Sequence, residues 1–192
     1  MKKVKLEDCI AYSKITNHLE VKEKILPLID SSIDKREGYT PISKLDFPDG
    51  DNFEREWVKT FHPYFYDPLK NIIKYLGYHG FDLKQIWYQQ YLRGSNHPWH
   101  THASNFTGVY YLEYPEGSPS TEVISPYTGE KHCLDMASEG DFIVFPSHWI
   151  HRGLPNNKDR KTIVSFNFSL DALYIDNVLV HSVNDGKPNT SF

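Results

Sequence analysis

From residue 83 onward the chain is written as short β-strands, and this cadence limits its fold more than any other feature. "LKQIWYQQYLRG" (83–94), "FTGVYYLEY" (106–114), "TEVIS" (121–125), "KHCLDM" (131–136), "GDFIVFP" (140–146), "WIHRGLP" (149–155) and "KTIVSFNFSL" (161–170) are rich in strand formers, and Gly, Pro, Asn and Asp separate them at short intervals. The spacing predicts a β-sandwich or barrel and argues against βαβ units. Upstream the texture is helical. Asn17 is placed to cap a helix over 18–30, where Leu19, Ile25, Leu26 and Ile29 recur near a 3.6 period that Pro27 disturbs. "SSIDKREGYTPISKLDFPDGD" reads as an exposed, turn-rich connection. "FEREWVKTFHPYFYDPLKNIIKYLGYHG" reads as helices interrupted around Pro63 and Pro68, with Gly77 and Gly80 as stop signals. The expectation is an α+β, mainly β single domain over 1–192. A helical support region (1–82) packs on a β core (83–172), and a polar tail (173–192) follows.

A chain of 192 residues is long enough for one sizeable core, and 15% aromatic content says that core leans on Phe, Tyr and Trp. The net charge of −4 argues against a generic nucleic-acid footprint. Cys9 and Cys133 form no CxxC pair and no zinc-finger pattern. Neither a secretory h-region nor an apolar run of membrane-spanning length is present, so a cytoplasmic protein without membrane contact is expected. Oligomeric state is not encoded in any pattern of this kind.

The chemistry concentrates in "GSNHPWHTHASNFTGVYYLE" (94–113), which holds His97, His100 and His102. On a strand, residues i and i+2 share a face about 6.5–7 Å apart, so His100 and His102 can both reach one ion. His97 has the opposite parity, precedes a proline and is assigned to the loop. A third ligand must come from another strand. "FPSHWIHRG" offers His148 in the turn and His151 in the strand, and His151 is preferred. An HxH pair with a distant strand histidine fits a three-histidine zinc site, a cupin-type site, or a binding module in which the imidazoles are structural. Nine residues after His151 stands Arg160, an anchor for the carboxylate of a small acid, with Thr162 on its face. Lys161 is the alternative anchor, and shares the opposite face with Ile163, Ser165 and Asn167. The register decides between them.

"HTH" (100–102), His151 and "RKT" (160–162) resemble the HxD/E…H…R/K-x-S/T pattern of the Fe(II)- and 2-oxoglutarate-dependent oxygenases. "HTHASNFTGVYYLEYPEG" and "EGDFIVFPSHWIHRGLPNNKDRKTIVSFN" are similar to its small phage and marine-bacterial, prolyl-hydroxylase-like branch. The likeness spans roughly residues 85–170. It implies a double-stranded β-helix core, of jelly-roll or cupin type, with helices on the larger sheet. It implies Fe(II), 2-oxoglutarate and O₂ as cofactor and co-substrates, and a hydroxylase activity. His100, His102 and His151 become iron ligands, and Arg160 or Lys161, with Thr162 and Tyr91, holds 2-oxoglutarate. Gln89, Tyr111 and Asn167 become pocket residues. His102 stands where most of the family has a carboxylate, though the branch resembled here has an HxH as well, and it leaves the site one negative charge short. The implied substrate is a protein side chain or small molecule rather than nucleic acid. The long loop 117–130 is expected near the pocket mouth.

Overall fold

The computed structural model describes residues 10–37, 40–175 and 178–181; Cys9 and residues 182–192 lie outside them. In chain order the elements are β1 (Ala11–Lys14), α1 (His18–Ser31), β2 (Lys44–Leu45), a 3-10 turn (Phe47–Asp49), α2 (Glu56–Tyr75), β3 (Tyr78–Leu92), β4 (His97–His100), β5 (Phe106–Glu113), β6 (Thr121–Ile124), β7 (Lys131–Cys133), β8 (Asp141–Pro146), β9 (Ile150–Gly153), β10 (Arg160–Ile175) and β11 (Val178–His181). They form two antiparallel sheets. The larger runs β1-β8-β5-β10-β3-β2, with β11 on the far end of β10, and the smaller runs β4-β9-β6-β7.

The larger sheet divides its side chains by parity. Ile86, Tyr88, Tyr110, Phe142, Val144, Val164, Phe166 and Phe168 turn to one face. There they meet Val21, Ile25 and Ile29 of α1 and Trp57, Phe61, Phe65, Leu69 and Ile72 of α2. Tyr91, Val109, Tyr111, Ile143, Phe145 and Ile163 turn to the other face, and pack with Val123 and Trp149 from the smaller sheet's side. The helices therefore buttress the large sheet from outside, and its other face packs toward the smaller sheet.

Several local expectations change in the structure. α2 is one helix of 20 residues that passes through both Pro63 and Pro68. Its continuous apolar stripe, buried against the sheet, outweighs the cost of about 3 kcal/mol that an interior proline brings. Gly77, at φ 88°, does end it, whereas Gly80 sits inside β3. The Asn17 side chain does not cap α1; its amide donates to Glu20 instead, 3.2 Å away. The segment 31–51 is not an exposed connection. Ile42, Leu45 and Asp46 are buried, and β2 and the 3-10 turn pin it to β3. β1 was not foreseen; it pairs with β8 at the sheet edge. β10 runs through residue 172 without a break, so the expected boundary between core and tail falls inside a strand. No helix among the described residues is long and apolar enough to cross a membrane.

Gly108 marks the tightest point of this packing. A Cβ there would lie 2.0 Å from Cζ of Phe166, its cross-strand partner, and 2.7 Å from the Ile143 carbonyl oxygen. Gly108→Ala is expected to destabilise the fold by about 2 kcal/mol or more. A thermal melt checks it, with Tm lower by about 4–8 °C.

Candidate metal centre

His100 and His151 are register partners across β4 and β9. His102 follows two residues on, where its backbone N–H donates to the Ser147 carbonyl at 3.0 Å. The three imidazoles converge: one ligand nitrogen from each lies within 4.8 Å of the others. Nε2 of His102 and Nε2 of His151 are 3.1 Å apart. Two of the rings are oriented from behind. Nδ1–H of His100 donates to the Pro98 carbonyl at 2.8 Å, and Nδ1–H of His151 to the Trp149 carbonyl at 2.9 Å. Each bond fixes the proton on Nδ1 and leaves Nε2 as the lone-pair donor. Burial pushes the ring pKa values down, to about 2 for His151 and about 4 for His102, with the neighbouring histidines adding to the effect. His100 is lowered too, chiefly by burial. All three are therefore neutral, which is the ligating form.

His102 takes its orientation from a different source. Asn167 Nδ2 lies 3.3 Å from Nδ1 of His102 and 3.1 Å from Oε1 of Gln85, while Asn167 Oδ1 is buried without a partner. A ligating Nε2 requires the His102 proton on Nδ1, and that N–H needs an acceptor. Turning the Asn167 amide about its own bond supplies one, provided the Gln85 amide turns with it so that Gln85 Nε2–H donates to the same oxygen, since amide oxygen and nitrogen are near-isosteric. Three inward Nε2 donors with their opposite nitrogens held are the donor set of a borderline metal such as Fe(II) or Zn(II), so the residues present fit a metal ion.

The chamber continues along the inner face of the large sheet. Lys161 is 3% exposed. Its ammonium sits 4.9 Å from the centre of the Tyr91 ring and donates to the Pro119 carbonyl at 3.0 Å. Burial alone lowers its pKa to about 8, and no carboxylate offsets it. Tyr91 is its cross-strand neighbour, and the Tyr91 hydroxyl donates to Oε1 of Gln89 at 2.8 Å. Gln89 Nε2 in turn lies 3.5 Å from Nδ1 of His97. The His97 ring stacks on His100 with centroids 3.8 Å apart. A line of side chains thus runs Lys161–Tyr91–Gln89–His97–His100.

The sequence reading placed His97 in the loop; it lies in β4. His97 and His100 are three positions apart while their partners Gly153 and His151 are two apart, so an irregularity in β4 brings both rings to one side. Phe145 stands edge-on to His151 at 4.9 Å, and Trp87 lies 5.7 Å from the His102 ring. These aromatics carry no motif that marks them. His148 is in the turn, with Nε2 at 3.5 Å from the Tyr127 hydroxyl.

The register separates the two cationic candidates, and it corrects the expectation that Arg160 and Thr162 line the site. Both face the helices. Arg160 pairs bidentately with Glu113, at 2.7 and 3.0 Å, and reaches Asp30 of α1 at 3.1 Å. The Thr162 hydroxyl donates to Glu113 at 2.9 Å. A bulge in β5 beside Thr162 turns Glu113 to that face, so the outward pair closes on itself. Lys161, one residue on, points inward. Tyr111 also faces inward, but its hydroxyl is bonded to Thr121 across the two sheets at 3.0 Å. Within the 117–130 segment, Pro119 closes over Lys161, and 121–124 form β6.

No family model and no curated protein sequence matches this chain. Solved structures do. A Pseudomonas putida prolyl-4-hydroxylase is 13% identical, with TM-score 0.60 over 83% of this chain and 91% of its own. A Trichoplax adhaerens prolyl hydroxylase in complex with a hypoxia inducible factor peptide fragment is 16% identical, with TM-score 0.59 over 83% of each chain. The non-heme α-ketoglutarate-dependent epimerase SnoN from nogalamycin biosynthesis is 12% identical, with TM-score 0.66 over 86% of this chain and 80% of its own. At such identities the shared property is the architecture: this chain has the double-stranded β-helix fold on which those oxygenases are built.

Proposed function

We propose that the chain is an Fe(II)- and 2-oxoglutarate-dependent oxygenase that hydroxylates a protein side chain or a small molecule. One observation carries the reading. A cluster of three neutral imidazoles and a buried lysine without a carboxylate partner face the same chamber between the sheets. A metal hydrolase needs the first of these and has no use for the second. The fold shared with a peptide-bound prolyl hydroxylase supports the reading.

In this proposal His100, His102 and His151 hold Fe(II). When bound, the metal with 2-oxoglutarate and O₂ supplies an oxidation in which the 2-oxo acid becomes succinate and CO₂ and a substrate C–H bond becomes C–OH. The chain's own residues do the rest. Lys161 takes the distal carboxylate of 2-oxoglutarate by a charge-assisted bond, and the Tyr91 ring lies against its ammonium. Gln89 accepts the Tyr91 hydroxyl proton and so fixes that ring. The carbonyls of Pro98 and Trp149 and the amide of Asn167 hold the three imidazole protons on the side away from the metal. Phe145, Trp149 and Tyr111 keep water out of the chamber.

The test is anaerobic titration with Fe(II) and then 2-oxoglutarate, following the visible charge-transfer band of a chelated 2-oxo acid. His151→Ala is expected to abolish the band. Lys161→Ala is expected to raise the 2-oxoglutarate Kd by about 10- to 100-fold, the worth of one charge-assisted hydrogen bond. Arg160→Ala, on the helix face, is expected to leave that Kd unchanged. Metal binding without the band overturns the oxygenase reading in favour of a metalloenzyme that uses no 2-oxo acid.

The pH dependence follows from Lys161. Burial lowers its pKa to about 8, so the ammonium that the carboxylate needs is present below pH 8 and is lost above it. The 2-oxoglutarate Kd is expected to be flat from pH 6.5 to 7.5 and to rise above about pH 8, by up to about tenfold per unit. Lys161→Arg, whose guanidinium keeps its charge, is expected to flatten the profile. The same titration run across pH checks both.

A further inference from the structure

Among the described residues no carboxylate touches the histidine cluster or Lys161. Among the described residues the buried carboxylates are Asp46 and Glu122, and each is engaged elsewhere. Asp46 binds Arg55, the Trp57 indole N–H and the Tyr88 backbone on the helix side. Glu122 binds Arg152 on the smaller sheet. Glu113 is held by Arg160. The charge count then rests on the oxygenase reading. A divalent metal on three neutral imidazoles, plus Lys161, gives three positive charges. 2-Oxoglutarate brings two negative ones. A carboxylate ligand in place of His102 would have closed the balance, and here one positive charge remains.

Two buried polar groups beside His102 lack partners. The Trp87 indole N–H has no acceptor, and Trp87 is 2% exposed. Asn167, 3% exposed, has one amide atom unpartnered. Once its oxygen serves Nδ1–H of His102, with the Gln85 amide turned so that its Nε2–H donates to the same oxygen, that atom is an N–H. Trp87 and Asn167 are diagonal neighbours on one sheet face, from β3 and β10. Two stranded donors are an acceptor site awaiting its acceptor, because a buried donor is otherwise satisfied. Phe47, itself 43% exposed, meets the Trp87 ring edge-on at 5.1 Å, so this ring lies close under the surface. Along the inner face, Trp87 and Asn167 also sit at the opposite end from Tyr91 and Lys161. The corner is therefore separate from the place the distal carboxylate of 2-oxoglutarate would take.

We infer that the substrate of this chamber is itself an anion, a small carboxylate whose oxygens take the N–H of Trp87 and the amide N–H of Asn167 beside His102. The carboxylate supplies the missing negative charge and both missing acceptors. Phe47 turns aside to admit it.

The test uses the protein loaded with Mn(II), which binds without oxidative turnover, and saturated with 2-oxoglutarate. Acetate and its neutral isostere acetamide are titrated in turn, and the paramagnetic relaxation of their methyl protons reports occupancy near the metal. Acetate is expected to bind at least tenfold more tightly than acetamide. Trp87→Phe keeps the ring and removes the N–H. It is expected to weaken acetate at least fivefold while the 2-oxoglutarate Kd stays within twofold, which also shows that the chamber is intact. Equal binding of acetate and acetamide to the wild type overturns the inference without recourse to any variant. An acetate preference untouched by Trp87→Phe overturns it as well, since the anion then merely ligates the metal. If the wild type does not bind 2-oxoglutarate, the oxygenase reading fails. A Trp87-dependent acetate preference then still supports the anion subsite, and its absence still sinks it.

Discussion

The pairing of β3 with β10 is the constraint on which the remaining structure depends. It runs from Arg160 opposite Leu92 to Leu173 opposite Tyr78, and β5 flanks β10 on the other side. Because side chains alternate along a strand, this one register assigns every residue of the central strands to the helices or to the chamber. A slip of one residue would carry Lys161 out to the helix face and drive Phe166 into the site. The helices enforce the register. Phe65 stacks edge-on to Phe166 at 4.8 Å, and Phe61 lies against Tyr110 at 5.1 Å. The apolar side of the sheet thus fixes the chemistry on its polar side.

The smaller sheet depends on this frame in turn. Its strands are short and its hydrogen bonds few, yet it carries two of the three converging histidines. Their placement comes from the His100–His151 pairing and from backbone carbonyls two residues upstream, Pro98 within β4 and Trp149 just before β9. Those carbonyls move with the ligands they orient. A binding site whose supporting groups share its own backbone tolerates sequence drift in the surrounding loops.

What the sequence revealed follows the same physics. The β cadence after residue 83, the HxH pair and His151 were legible because period-two alternation and i, i+2 spacing are local. The choice between Arg160 and Lys161 was not local. Both lie in one strand start, and their parity relative to the chamber is set by partners 47 to 70 residues away. The bulge that turns Glu113 towards Arg160 leaves no mark in composition. His97 was misplaced for a similar reason, since an irregular β4 breaks the alternation that assigned it to the loop. Pro63 and Pro68 suggested breaks because propensity is read one residue at a time. The burial of seven apolar side chains along α2 is a collective term that no single position shows. The strand β1 was invisible because four half-polar residues acquire a strand only by pairing with an existing edge.

The three imidazoles also explain why the chamber is arranged as it is electrically. Burial keeps each ring neutral, so the protein contributes no charge to the metal it would hold. Desolvating an unpaired cation is costly, and the chamber contains one already in Lys161. Tyr91 and Tyr114 soften that cost by presenting their ring faces to the ammonium, at 4.9 and 6.0 Å. Such contacts lessen the penalty but do not cancel it. A buried cation with no carboxylate beside it among the described residues favours anionic guests. Carboxylates are not absent from the fold. They lie just outside the chamber wall, paired with Arg55, Arg152 and Arg160. The strand register that sends Lys161 inward is the one that sends Arg160 outward to Glu113. The separation of charge across the sheet follows from the same alternation that builds the core.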